Sequence, residues 1–126
     1  MKKKLATLLA AVMLTSMIST PVSAASYVSG TIGGQSVSGS LTMNDNSATA
    51  STYSSIQGPA GHTVSVTYTY GFGKETYTKY ASASDPKPVT ATAYSSHYGS
   101  ESLSAAGTHG VYWGQYSWNE TTSIKW

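Results

Sequence analysis

Residues 63 to 72 constrain this chain more than any other stretch. Val64, Val66, Tyr68, Tyr70 and Phe72 fall on one side of a strict alternation, and Thr63, Ser65, Thr67, Thr69 and Gly71 on the other. Successive side chains of a strand point to opposite faces, so period two marks a β-strand with one face in a core. A single face bearing five large apolar or aromatic residues is expected at the centre of that core. At a sheet edge the segment would recruit other chains, so it is expected between two partner strands.

The same alternation recurs upstream, where Val37, Gly39, Leu41 and Met43 are interleaved with Ser36, Ser38, Ser40 and Thr42. Gly33-Gly34 separates this run from Thr31-Ile32, and a two-glycine connection suits a tight hairpin whose turn needs positive φ. The first two strands should therefore pair antiparallel. Gly71, Gly73 and Lys74 are expected to turn the chain into a strand over about 75–83. Asn44-Asp45-Asn46 reads as a turn, and residues 57–61 and 84–88 as loops, the latter holding two prolines that cannot donate to a ladder. Later strands are expected at 89–95, 110–118 and 121–126. The resulting fold class is all-β: a small antiparallel β-sandwich, or alternatively a small barrel, of seven or eight short strands.

Composition agrees with that reading. From Ser26 onward, 33 of 101 residues are serine or threonine, fourteen are aromatic and only nine are charged. A disordered chain shows the reverse, few aromatics and many charges. Threonine, tyrosine, valine and tryptophan suit a pleated surface, whereas leucine, glutamate, glutamine and lysine are scarce.

The amino terminus is of a different kind. Lys2, Lys3 and Lys4 precede fourteen mostly apolar residues, 5–18, and Pro21 then stands before Val22-Ser23-Ala24, a small-residue cleavage pattern. A membrane span needs about 18 or more apolar residues, so the stretch is too short for a stable anchor. Residues 1–25 are expected to be a cleavable signal helix, handled by the export machinery and signal peptidase. Residues 26–126 are expected to be one all-β domain, beginning at Ala25 or Ser26 and secreted. The formal net charge of +2 includes the three leader lysines. Without them, four lysines face five carboxylates, a net charge of −1. With no arginine and no lysine cluster, nucleic acid is not an expected partner. The absence of cysteine removes disulfides, thiol catalysis and thiolate metal sites.

Few residues can carry chemistry. A hydrolase would draw on His62, His97 or His109 with a serine, but no Gly-x-Ser-x-Gly elbow occurs. Paired-carboxylate chemistry would need Glu75, Asp85, Glu101 or Glu120, and Glu101 and Glu120 are expected in loops as solvated charges. The histidines lie 35 and 12 residues apart, without the short spacings typical of zinc ligands. His62 and His109 are expected to begin or flank strands, and His97 to lie near a turn. No catalytic residue, metal or other cofactor is assigned. Asn119-Glu120-Thr121 matches a glycosylation sequon, which matters only in a host able to use it. Thr67-x-Thr69, Thr76-x-Thr78 and Thr90-x-Thr92 read as outward strand faces rather than a water-ordering array.

Two similar segments lie roughly 45 residues apart. Ala48-Thr49-Ala50 and Tyr53-Ser54-Ser55 are echoed by Ala91-Thr92-Ala93 and Tyr94-Ser95-Ser96. Duplication is one explanation, and the strong bias toward Ser, Thr, Ala and Tyr is the other.

The aromatic content supplies the functional lead. If residues 110–118 form one strand, Tyr112, Gly114, Tyr116 and Trp118 share one face and Val111, Trp113 and Gln115 the other. Val111 and Trp113 make the better core pair, so Tyr112, Tyr116 and Trp118 are the candidate ligand-binding residues. Exposed aromatics among hydroxyls can stack on sugar rings or dock a partner. The expected function is that of a secreted bacterial, non-catalytic binding module, with cell-wall glycan or another envelope component as its partner. Ser96-His97-Tyr98-Gly99-Ser100 and Val111-Tyr112-Trp113, in a short exported cysteine-free chain ending in an aromatic, resemble the lactococcin-type bacteriocins. That resemblance implies a small secreted β-sandwich acting on the envelope of competing bacteria, and it carries no site residue across. A secreted hydrolase is the third class.

Overall fold

The computed structural model describes residues 24–126. The helix expected over residues 5–19 lies outside the described residues. Eight strands follow one another: β1 (Ala24–Ile32), β2 (Gln35–Met43), β3 (Ser47–Ser54), β4 (Gly61–Phe72), β5 (Glu75–Asp85), β6 (Val89–Tyr94), β7 (Glu101–Trp113) and β8 (Tyr116–Lys125). They form two four-stranded antiparallel sheets, ordered β1-β2-β3-β6 and β5-β4-β7-β8. The fold is an all-β sandwich. Ala24 already pairs with Met43, so the boundary expected at Ala25 or Ser26 falls inside β1.

The strand singled out by alternation is central, with β4 between β5 and β7. Val64, Val66, Tyr68 and Tyr70 are buried, the two tyrosines completely. Room for these rings comes from the opposite sheet, whose inner face offers Ala48, Ala50, Ala91 and Ala93 beside Leu41 and Met43. Small residues facing large ones is how two sheets fill a core without voids. Tyr68 Oη donates to Ser102 Oγ at 2.7 Å, and Ser102 Oγ in turn donates to the Asn44 carbonyl. Its burial pushes the phenol up from its usual 10.0 and keeps the proton on. Phe72 departs from expectation. At the end of β4 it is 41% exposed and stacks on His97 with ring centroids 4.6 Å apart.

The two Ala-Thr-Ala runs turn out to be neighbours. Ala48 pairs with Ala93, Thr49 with Thr92 and Ala50 with Ala91. The alanines face the core tyrosines, and the two threonine hydroxyls meet at 2.9 Å on the outside. Both runs thus turn alanine to the core and threonine to the outside.

Gly33 and Gly34, with φ of 53° and 81°, make the expected first hairpin. A second hairpin overturns an expectation: residues 110–118 are not one strand. Gly114, with φ of 61°, turns the chain between β7 and β8. Residues 101–109, outside the expected strands, belong to β7, and Glu101 and Glu120 lie in strands rather than loops. His109 sits well inside β7 rather than at its margin. His97 lies in the connection between β6 and β7, as its turn-like surroundings predicted.

Candidate functional site

The β7–β8 hairpin separates the three residues expected to share a binding face. Val111 pairs with Trp118, Tyr112 with Ser117 and Trp113 with Tyr116. Residues directly opposite on an antiparallel pair share a face, and residues two apart on one strand do so as well. Val111, Trp113, Tyr116 and Trp118 therefore lie on the inner side, and Tyr112 alone lies on the outer side. The expectation that Trp113 and Trp118 point to opposite faces fails because a turn intervenes between them.

The inner aromatics close one end of the sandwich. Trp113 and Trp118 pack against the buried cluster of Ile32, Val37 and Val111. Trp113 and Tyr116 lie 6.0 Å apart, both against the first hairpin. A Cβ on Gly33 would stand 2.9 Å from the Trp113 ring and 3.1 Å from Tyr116, and one on Gly30 would stand 2.7 Å from Trp118 Nε1. Glycine at those two positions lets the indoles lie directly on the backbone of β1 and its turn. Tyr116 and Trp118 are thus engaged within the fold, although Tyr116 keeps 43% of its surface exposed.

Tyr112 is placed differently. Its hydroxyl donates to Asn119 Oδ1 at 2.9 Å. A Cβ on Gly110, two residues back on the same face, would lie 3.1 Å from Tyr112 Oη. The side chain therefore lies along the sheet over Gly110, which is buried beneath it, while Tyr112 stays 44% exposed. Two hollows meet at this residue and share Thr63 with it. One, of about 600 Å³, is lined by Pro59, Gly61, Ser84, Asp85 and Pro86. The other, of about 420 Å³, is lined by Thr108, Asn119, Glu120 and Thr121. Together they form a furrow across the end of the second sheet, with an anchored tyrosine at its middle and hydroxyls along it; Asp85 and Glu120 stand at its borders but pair with His62 and His109, on the inner side of the sheet.

Buried polar pairs lie beneath the furrow. His109 is 2% exposed, with Nδ1 at 3.0 Å from Thr52 Oγ1 and Nε2 at 2.9 Å from Thr122 Oγ1. Thr52 Oγ1 donates to the Thr63 carbonyl, so Nδ1–H donates to Thr52 and Nε2 accepts from Thr122. Burial lowers the imidazole below its usual 6.5, favouring this neutral ring. A Cβ on Gly39 would overlap it, so β2 can cross here only as glycine. His62, also 2% exposed, has Nε2 at 2.8 Å from Ser54 Oγ. Ser54 Oγ also accepts from Ile56 N at 3.3 Å. His62 lines the larger hollow, and its Nδ1 is buried without a hydrogen-bond partner.

Ser54 and His62 are in contact, but both are buried and no carboxylate receives Nδ1. His97 instead contacts Tyr70 Oη through Nδ1 at 3.2 Å. Among the described residues, no three of His, Cys, Asp and Glu are grouped to hold a metal ion.

The sequence pattern placed Tyr112, Tyr116 and Trp118 on one face, whereas the structure puts Tyr112 on the outer face and the other two on the inner one. The available signal was Gly114-Gln115, flanked by Trp113 and Tyr116, which parallels Gly73-Lys74 flanked by Phe72 and Glu75. Thr63, Ser84, Asn119 and Thr121 reach the furrow only through strand register, which no local pattern encodes. No protein-family model, curated protein or solved structure matches the chain.

Proposed function

We propose that this is a secreted, non-catalytic glycan-binding protein whose contact surface is the outer furrow around Tyr112, with cell-wall glycan as its ligand. The observation that carries this reading is the placement of Tyr112, laid along the sheet over Gly110, tethered through its hydroxyl and still 44% exposed. A ring already held in place loses little side-chain entropy on binding, and tyrosine couples an apolar face to a polar rim. Thr63, Ser84, Thr108, Asn119 and Thr121 line the two hollows and supply hydrogen-bonding groups around the ring. Tyr116 and Trp118 support the hairpin from its inner side and are not part of the contact.

The test is retention of the purified domain by cell walls, with Tyr112→Ala as the variant. Wild type should be retained and the variant lost to the flow-through, while their unfolding free energies from denaturant titration agree within about 1 kcal/mol. Equal retention of both proteins, or none for wild type, would overturn the reading.

A further inference from the structure

Four strands edge the two sheets, and three of them carry a device that blocks further pairing. β5 turns Lys79 to the inner side, opposite the buried Tyr68, and β8 turns Glu120 inward, opposite the buried His109. A charge pointing into the sandwich at an edge cannot be covered by another strand without losing its water. β6 is only six residues long and is preceded by Pro86, Lys87 and Pro88. β1 has none of these features. Its nine residues, Ala24–Ile32, hold no charge and no proline, and they pair with β2 in unbroken register. We infer that β1 is a self-association edge, pairing antiparallel with β1 of a second copy of this chain to give a closed dimer.

The first hairpin sets which backbone groups of β1 are free. Ile32 and Gln35 close a two-residue turn, so they exchange hydrogen bonds, and by alternation so do Gly30 with Val37 and Val28 with Gly39. Ser36 accordingly points the other way, its carbonyl accepting from Ser55 N at 2.9 Å just past β3. Ala25, Tyr27, Ser29 and Thr31 therefore aim their N–H and C=O groups away from β2, where no strand among the described residues meets them. These four exposed residues are symmetric about Val28. An antiparallel pair centred there sets Tyr27 against Ser29 of the second copy, Ala25 against its Thr31, and Val28 against its own equivalent. No like charges meet, and the two half-buried valines cover one another. Each copy uses its one unprotected edge, so assembly stops at two. The two-fold axis stands perpendicular to the joined sheet, so both Tyr112 furrows face the same side of the dimer.

Sedimentation equilibrium of the purified domain tests this. At about 100 μM the wild type should show twice the monomer mass. Ser29→Pro removes an outward N–H without breaking a bond to β2, and it should be monomeric at that concentration with an unchanged circular dichroism spectrum. Val28→Lys supplies the inward charge that β5 and β8 already carry and should do the same, which keeps the test intact if the proline variant misfolds. Thr78→Pro, at an outward position of β5, should stay dimeric. The chain has no cysteine, so Val28→Cys alone should yield a disulfide-linked dimer on mild oxidation, because facing Cα atoms in such a pair stand about 4.5 Å apart. A monomeric wild type, or a folded Ser29→Pro or Val28→Lys protein that remains dimeric, would overturn the inference. Species larger than a dimer would overturn it as well, since they need a second open edge, and a dimer that Val28→Cys fails to cross-link would overturn the pairing about Val28.

Discussion

The second sheet presents two faces built from the same strands with opposite logic. Its inner face is a continuous layer of Val64, Val66, Tyr68, Tyr70, Val111 and Ile124, each of them 8% exposed or less. Its outer face, over the same strands, is a carpet of Thr63, Ser65, Thr67, Thr69, Ser82, Thr108 and Thr121, broken by Tyr80 and Tyr112. Aromatic rings occur on both sides, so ring type does not assign a role. What separates Tyr68 from Tyr112 is what lies over each ring: alanines of the opposing sheet over one, and solvent over the other. Both hydroxyls are hydrogen-bonded, one to a buried serine and one to an exposed asparagine.

The contrast can be broken most sharply on β4. Tyr68→Ala should cost about 3–5 kcal/mol, since it removes a fully buried ring and the hydrogen bond its hydroxyl donates to Ser102. Thr67→Ala, one residue away on the outer face, should cost well under about 1 kcal/mol. Chemical denaturation of the two variants measures both. Equal losses would mean that the outer face is covered too.

The hairpin offers the next largest effect. Trp113→Ala and Trp118→Ala should each cost about 2–3 kcal/mol, because both indoles pack on the same end cluster. Protein that remains folded should still be retained by cell walls. Loss of retention with either variant at full stability would place the binding surface on the inner side of the hairpin and undo the division of roles.

A smaller effect is expected from pH. Burial lowers the folded-state value of His109 below the roughly 6.5 of an unfolded histidine. Its contribution to stability is therefore complete above about pH 6.5. Below that it is lost as the unfolded chain takes up the proton first, until the folded-state value is reached. The slope from this one group is at most about 1.4 kcal/mol per pH unit. Thermal unfolding scanned from pH 7 to pH 5 should show the decline, and His109→Gln should show less of it. A profile unchanged by that substitution would mean that His109 is not the group responsible.

The smallest stability change should accompany the largest change in binding. Tyr112→Ala removes a half-exposed ring and should cost about 1 kcal/mol or less while abolishing retention by cell walls. A cost near that of Tyr68→Ala would make Tyr112 a structural cover for Gly110 and nothing more.

Much of the fold was legible because it is written in local chemistry. Alternation over residues 63–72 gave the central strand, and Gly33-Gly34 gave the first hairpin, because side-chain direction and positive φ are properties of a few adjacent residues. The β7–β8 hairpin was missed because Gly114 also fits an uninterrupted alternation of small and aromatic residues, and the same text then supports two readings. Phe72 was misplaced because alternation says which side a residue faces and not how far the opposing sheet extends.

The sequence by itself determined that this chain makes strands, which side of β4 is apolar and that the outward surface is rich in hydroxyls. Only the tertiary structure decided that Tyr112 parts company with Tyr116 and Trp118, that Thr63, Asn119 and Thr121 surround it, and that His109 is sealed beneath Gly39. Those outcomes depend on which residues lie opposite one another across a ladder and between sheets. A one-residue change of register moves every side chain to the other face, so they are fixed by the packing of the whole core and not by any window of the chain.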